Sequence, residues 1–312
     1  MSIGSKTRDK EVVIDLLGEK VRIRREGTDG DVDAAIARIA ELDGQVDAIG
    51  LGGVALYLKA AGRTYVMREA LRMAEAAKVT PVVDGSGLKD SLEREAVRFL
   101  EQQVGEGLRG KRVLMTAAVD RYGLAEALHE AGCQMTLGDL VFGLGVPAPI
   151  HSWWVFGAVA RTLLPVIVRL PFEMVYPTGE HQTEEPDPKY ARYYEEADII
   201  AGDFLYVRKY MPEDMTGKWV ITNTTTEEDV VELSRRGVEL LVTTTPRLEG
   251  RSFGTNLMEA TLVAVSGEGR ALEPEEYMEL LGRLGLGPTM LRLEGRAMPG
   301  AASEPSPAPS SP

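Results

Sequence analysis

Cysteine is all but missing from this chain: Cys133 stands alone among 312 residues. One cysteine cannot close an intrachain disulfide or build a cysteine-based zinc site, and a small core residue is the simplest role for it. Histidine is nearly as scarce. His129, His151 and His181 are spaced unlike H-E-x-x-H or any comparable ligand set, so no metal is predicted. Positive charge is also short, with 35 Lys and Arg against 48 Asp and Glu and a net charge of −13. That balance argues against a nucleic-acid partner, whose phosphates attract a basic footprint. It leaves room for an anionic small-molecule ligand, because a local basic pocket can sit on an acidic body. No apolar run is long and clean enough to span a membrane. The longest, Trp153 to Leu170, is interrupted by Arg161, Pro165 and Arg169, and reads as a core helix or a homodimer contact. The opening residues MSIGSKTRDKEV contain no apolar targeting segment, so a cytoplasmic protein is expected.

What is present suits two α/β domains, the second a Rossmann-like doubly wound parallel sheet. The pattern divides the chain into an N-terminal α/β domain at 1–105 and a Rossmann-like domain at 106–290. A Pro/Ser/Ala-rich tail at 296–312 has nothing to bury and is expected to be disordered. A β-hairpin is predicted around Leu17-Gly18, and helices over Asp31–Leu42 and Tyr65–Ala77. Another helix is predicted to start at Ser91 as its cap. A strand is read at Met174–Tyr176, ahead of a polar loop over Glu180–Lys189.

The organising stretch is Gly110–Asp139. Val113-Leu114-Met115 reads as a buried strand, Leu124, Ala127, Leu128 and Ala131 recur at helical spacing, and Gly132 ends that helix. A second strand then runs into Gly138-Asp139. This is one βαβ unit with an acidic residue about 20 positions past the turn, the place from which such folds grip a ribose. The turn itself lacks G-x-G-x-x-G. It carries Ala118, Asp120 and Arg121, with Gly123 alone at the helix start. Arg121 could clamp a pyrophosphate by charge, or form a surface ion pair. Asp139 could accept from a ribose, favouring NAD over NADP, or cap the segment after it.

Other candidates sit at predicted strand ends. Lys89 and Asp90 follow the loop holding Ser86. They could move a proton to or from a substrate hydroxyl, or simply open a helix. Asn223, Thr224 and Thr225 form a hydroxyl-rich tip before a helix, suited to an anion, although Thr225 or Thr226 could be no more than a cap. Thr243-Thr244-Thr245 ends the neighbouring strand. Arg251, Ser252, Thr255 and Asn256 lie in a glycine-bounded loop before an apolar helix, again a layout for a carboxylate or phosphate.

The segments DGSGLKDSLEREAV, ADIIAGDF, TNTTTEEDV and GRSFGTN, with GKRVLMTAAVDRYGLAEALHEAG, resemble bacterial proteins labelled quinate 5-dehydrogenase over about residues 3–290. The chain is more distantly similar to quinate/shikimate dehydrogenases. That resemblance implies an oxidoreductase using NAD or NADP on a hydroxy acid, with Lys89 and Asp90 handling the proton. Ala118, Asp120, Arg121, Gly123, Asp139, Asn223, Thr224 and Thr225 would then hold the cofactor, and Ser86, Arg251, Ser252, Thr255 and Asn256 the substrate. The missing glycines keep two alternatives open: a non-redox Rossmann-like protein binding or transferring another anionic ligand, and a non-enzymatic regulatory or partner-binding protein.

Overall fold

The computed structural model describes residues 1–170, 190–245, 247–248, 251–252 and 254–293. The predicted strand Met174–Tyr176, the loop with His181 and the tail 296–312 lie outside the described residues.

The chain opens with a hairpin of β1 (Lys10–Leu16) and β2 (Glu19–Arg25), then α1 (Val32–Leu42), whose first turn is capped by the Asp31 carboxylate accepting from the Ala34 N–H. β3 (Ile49–Gly50) pairs in parallel with β6 (Val82–Val83). Between them lie a second hairpin, β4 (Tyr57–Ala60) and β5 (Arg63–Val66), and the short α2 (Arg68–Ala74). The helix expected from Tyr65 is therefore a strand at its start. Thr64, Tyr65 and Val66 are β-branched or aromatic and fit a pleated surface better than a helix.

α3 (Ser86–Val104) begins five residues before the expected cap. Ser91 is buried inside it, its hydroxyl donating to the Gly87 carbonyl. After α3 come β7 (Arg112–Met115), α4 (Tyr122–Glu130), β8 (Gln134–Leu137), one π-helical turn at Asp139–Gly143 and α5 (Trp153–Ile167). Then follow α6 (Ala191–Glu196), β9 (Ile199–Ala201), α7 (Phe204–Tyr210), β10 (Trp219–Thr222) and α8 (Glu227–Arg235). The chain continues through β11 (Leu240–Thr243), the small ladder β12 (Arg247–Leu248) with β13 (Arg251–Ser252), α9 (Thr255–Ser266), α10 (Pro274–Arg283) and β14 (Thr289–Arg292).

The main sheet has the order β14-β11-β10-β9-β7-β8, parallel throughout except for β14. Its strands are apolar on both faces, and their two-residue period sorts them. Val113, Met115, Ile199, Ala201, Leu240 and Val242 face one core with α3 and α4. Leu114, Ile200 and Leu241 face another, with Phe142, Tyr193, Tyr194 and Val207. This is the doubly wound arrangement. Cys133 is buried on the first side, its thiol against the Leu108 carbonyl.

Two elements tie this sheet to the N-terminal part. α5 sends Ala160 and Leu164 into the core of Ile39, Leu51 and Met73. α9 sends Met258 and Leu262 to Val83, Leu88 and Leu92. The contact at the start of α9 is backbone on backbone. Gly85, at φ 93° ahead of α3, leaves room where a Cβ would stand 2.6 Å from the Asn256 nitrogen. α3 itself packs Ala96, Val97 and Leu100 against the main sheet, so the helix before residue 105 belongs to that core.

Candidate functional site

Strand order selects the place to look. β8 lies on one side of β7 and β9 on the other. The loops leaving β7 and β9 therefore part company at the carboxyl edge, the place where doubly wound sheets take their ligands. The first loop is Thr116–Arg121; the second is Gly202-Asp203.

Arg121 fills the centre. It occupies the cap position of α4, but its side chain is only 7% exposed. One terminal nitrogen donates to Glu93 Oε1 at 3.0 Å, the other to Asp203 Oδ2 at 2.7 Å. Its Nε lies 3.3 Å from Asp120 Oδ2 without hydrogen-bond geometry and has no other partner. Burial alone would lower the guanidinium pKa. Asp120, Asp203 and Glu93 outweigh it and hold Arg121 charged.

Glu93 reaches in from α3 and is buried. Its Oε2 accepts from the Leu124 N–H at 3.2 Å, so it caps α4 from a different helix. Burial pushes its carboxyl pKa up, against the pull of Arg121 and Lys89. Lys89, one turn into α3, donates to Asp120 Oδ1 at 2.9 Å. Burial would raise the Asp120 carboxyl, but Lys89 and Arg121 bring it below its ordinary value. On the far wall Asp203 caps α7 through the Leu205 N–H and accepts from Asn223 Nδ2 at 2.8 Å. Tyr206 is raised to about 12 by burial, then by Asp120 and Asp203. Lys89, Asp120, Arg121, Asp203 and Asn223 are thus one continuous network.

Several expected roles change in this setting. Asp90 is not the partner of Lys89, because consecutive helix residues point apart. It sits 3.6 Å from both Lys59 and Arg94 and leans on Gly123, where a Cβ would stand 2.7 Å from its Oδ1. Gly123 therefore serves the close packing of α3 on α4. Asp139 is turned inward rather than toward a ribose. Its carboxylate accepts from Ala118 N at 3.1 Å and Val119 N at 2.9 Å. Burial lifts its pKa to about 6 in spite of those two donors. Asn223 spends its amide within the fold, its oxygen accepting from Phe204 N and the Thr222 hydroxyl.

The strand tips of β10 and β11 do meet. Thr244 N donates to the Thr222 carbonyl and Thr245 N to that of Asn223. Thr225 and Thr245 are buried there, the Thr245 hydroxyl without a partner among the described residues, while Thr226 forms a capping box with Asp229. Ser86 opens α3, its N–H donating to Asp84. Thr255 and Asn256 open α9 against Gly50 at the end of β3 and Gly85 ahead of α3. The backbone of Arg251 and Ser252 forms β13; their side chains lie outside what is described. His129 stacks on Trp153 at 4.9 Å and His151 meets the Thr136 hydroxyl. Among the described residues no group of three His, Cys, Asp or Glu is arranged to hold a metal. None of their helices is long and apolar enough to cross a membrane.

Glu93 and Asp203 are the two residues that sequence reasoning missed. Asp203 had a signal: it stands directly after the strand ADIIAG and before a helix. Glu93 had none, since a glutamate in a polar-looking helix reads as solvent-facing.

Residues 87–293 match the model of the domain of unknown function DUF8754, which is more than half of the chain. The protein belongs to the DUF8754 family. In front of the DUF8754 region, residues 1–84 match a second model, the domain of unknown function DUF8753. No curated protein matches the sequence. Among solved structures this DUF8754 member is similar to a galactofuranose binding protein, at 14% identity and a TM-score of 0.37, over 83% of this chain and 87% of that one. It is also similar to GanP, a glucose-galactose binding protein from Geobacillus stearothermophilus, at 9% identity and a TM-score of 0.39, over 88% and 85%. An Entamoeba histolytica malic enzyme gives 10% identity and a TM-score of 0.37, over 86% and 60%. Likenesses at this level carry neither ligand nor activity across to a DUF8754 chain.

Proposed function

We propose that this chain binds a small hydroxylated molecule where the β7 and β9 loops part, without seating a dinucleotide pyrophosphate on the β7–α4 turn. The observation that carries this is the inward turn of Asp139. The N–H groups of Ala118 and Val119 belong to the turn that would meet a pyrophosphate, and they already serve the chain's own carboxylate. Charge balance points the same way. Lys89 and Arg121 are each matched by Asp120, Asp203 or Glu93, so neither is left as an uncompensated cation for a phosphate. Paired carboxylates and cations suit hydroxyl groups, which donate to one and accept from the other.

Thermal unfolding in the presence of NAD, NADH, NADP, NADPH, hydroxy acids and polyols tests this, because a ligand that binds only the folded state raises the melting temperature. The expected result is no shift with the four dinucleotides and a shift with a hydroxylated compound that Asp120→Asn weakens. A shift with any dinucleotide overturns it.

One observation favours a second reading, the nicotinamide-dependent oxidoreductase implied by the resemblance to the quinate/shikimate group. Lys89 and Asp120 are 2.9 Å apart beside these loops, with side chains 20% and 23% exposed, which suits proton transfer to or from a substrate hydroxyl. Under that reading Lys89→Ala removes turnover and leaves the NADH-induced shift intact.

A further inference from the structure

Glu259 stands in the middle of an apolar helix, α9, and the fold buries it to 2% exposure. It has no Lys or Arg partner among the described residues. What holds its carboxylate is the start of α3 and a phenol. Oε2 accepts from Gly85 N at 2.5 Å, and Oε1 from Leu88 N at 3.3 Å and the Tyr277 hydroxyl at 2.8 Å. The first turn of α3 is shaped for it, since a Cβ on Gly87 would stand 2.6 Å from Oε1. The titratable groups that face Glu259 are Tyr277 from α10 and Asp84 from the loop ahead of α3. β3 and β6, which also pack on α9, are Ile49-Gly50 and Val82-Val83 and bring no charge. The hairpin meets α9 on its Leu257 and Val265 side. Asp84 spends its own carboxylate on the N–H groups of Leu56, Tyr57 and Ser86. Gly85 follows Asp84 directly and donates to Glu259, so a single residue at φ 93° joins the two acids.

We propose that Glu259 is a proton-operated latch on the first turn of α3. Protonated, it holds that turn against α9; ionised, it releases the turn about Gly85, and the backbone of Lys89 goes with it. A buried carboxylate without a cation gains by reaching water. The Tyr277 hydroxyl and two N–H groups oppose that, but burial outweighs them and, with Asp84 adding to it, lifts the carboxyl to about 7. The latch is therefore closed below neutral pH and charged above it. The middle of α9 cannot reach water without unpacking Met258 and Leu262 from Val83, Leu88 and Leu92. A helix end opens at much lower cost, and glycine leaves the backbone free to turn there. Lys89 N donates to the Gly85 carbonyl at 2.9 Å, so the side chain that reaches Asp120 springs from the same turn. Control of a ligand through Lys89 rests on the reading proposed above; release of the turn does not.

Amide hydrogen exchange of the full chain without ligand tests the latch by itself, with protection taken relative to the intrinsic rate at each pH. In the wild type the Gly85, Leu88 and Lys89 amides should lose about tenfold or more of their protection between about pH 5.5 and pH 8.5. Glu259→Gln keeps an acceptor and cannot ionise, so the variant should show no such loss. The Asp229 and Val230 amides open the comparable turn of α8, which is capped from within its own helix, and should keep their protection. Equal protection of the α3 turn at the two pH values overturns the proposal. So does a loss that persists in Glu259→Gln, or one that the α8 turn shares. Should the variant fail to fold, the wild-type comparison of the α3 and α8 turns still decides.

Discussion

Arg121 shows how one side chain can be both the heart of a site and a structural necessity. It is buried among three carboxylates and makes strong bonds to two of them. Replacing it with methionine would strand Glu93 as a buried charge, and breaking a pair in that way costs about 3–5 kcal/mol. Arg121→Met should lower the urea midpoint accordingly, and adding Glu93→Gln should recover part of the loss, since the second change removes the stranded charge. Equal midpoints for the single and double variants would show that Glu93 does not depend on Arg121. Lys89 is less enclosed than Arg121, and Asp120 keeps Arg121 beside it, so Lys89→Ala should lower the midpoint by less than Arg121→Met does.

At the level of helices and strands, much of this molecule was legible in advance. Val113-Leu114-Met115 reads as a strand buried on both faces because it has apolar residues at consecutive positions, and both cores use it. A threonine cap at Thr225 or Thr226 announces a helix start through local chemistry, and Thr226 does cap α8, with Asp229 rather than Glu227 or Glu228 completing the box. What was not legible is capping supplied from far away. α3 starts at Ser86 without a side-chain cap of its own; Glu259 of α9 accepts from Gly85 N at 2.5 Å and Leu88 N at 3.3 Å. No rule of local spacing finds a cap more than 170 residues along the chain. The same holds for Glu93 on α4, and it explains why Ser91 looked like the start of α3. The candidate site was half legible for a related reason. Position in the β7–α4 turn pointed to Asp120 and Arg121, whereas their partners come from other helices. Close packing of α3 on α4 also gives a prediction. Gly123→Ala would press a methyl group on Asp90 and should cost about 1–3 kcal/mol, read as a lower melting temperature.

Taken whole, the molecule is held together by helices that cross between its two parts, so heat or urea should unfold both in one transition rather than two. Glu259 lies at that crossing. It is buried, accepts from Gly85, Leu88 and the Tyr277 hydroxyl, and has Asp84 as its nearest like charge. Burial, more than Asp84, lifts its pKa from 4.5 to about 7. A raised carboxyl binds its proton more tightly in the folded state. Its contribution is therefore full below pH 4.5 and is lost as pH rises through about 7, a change of about 3 kcal/mol. Glu259→Gln keeps an acceptor for Gly85 and removes the charge. The variant should match the wild type near pH 4.5 and melt higher than it near pH 8. Parallel melting curves across that range would contradict the argument.

The solitary thiol has a practical consequence. Cys133 is sealed beneath the Leu108 carbonyl, and burial raises its pKa to about 11. At neutral pH it should stay unreactive toward maleimides. The natural chain is then in effect a thiol-free background. A cysteine engineered beside the β7 and β9 loops would be the one site that takes up a dye or spin label, so ligand contact could be followed without first rebuilding the core.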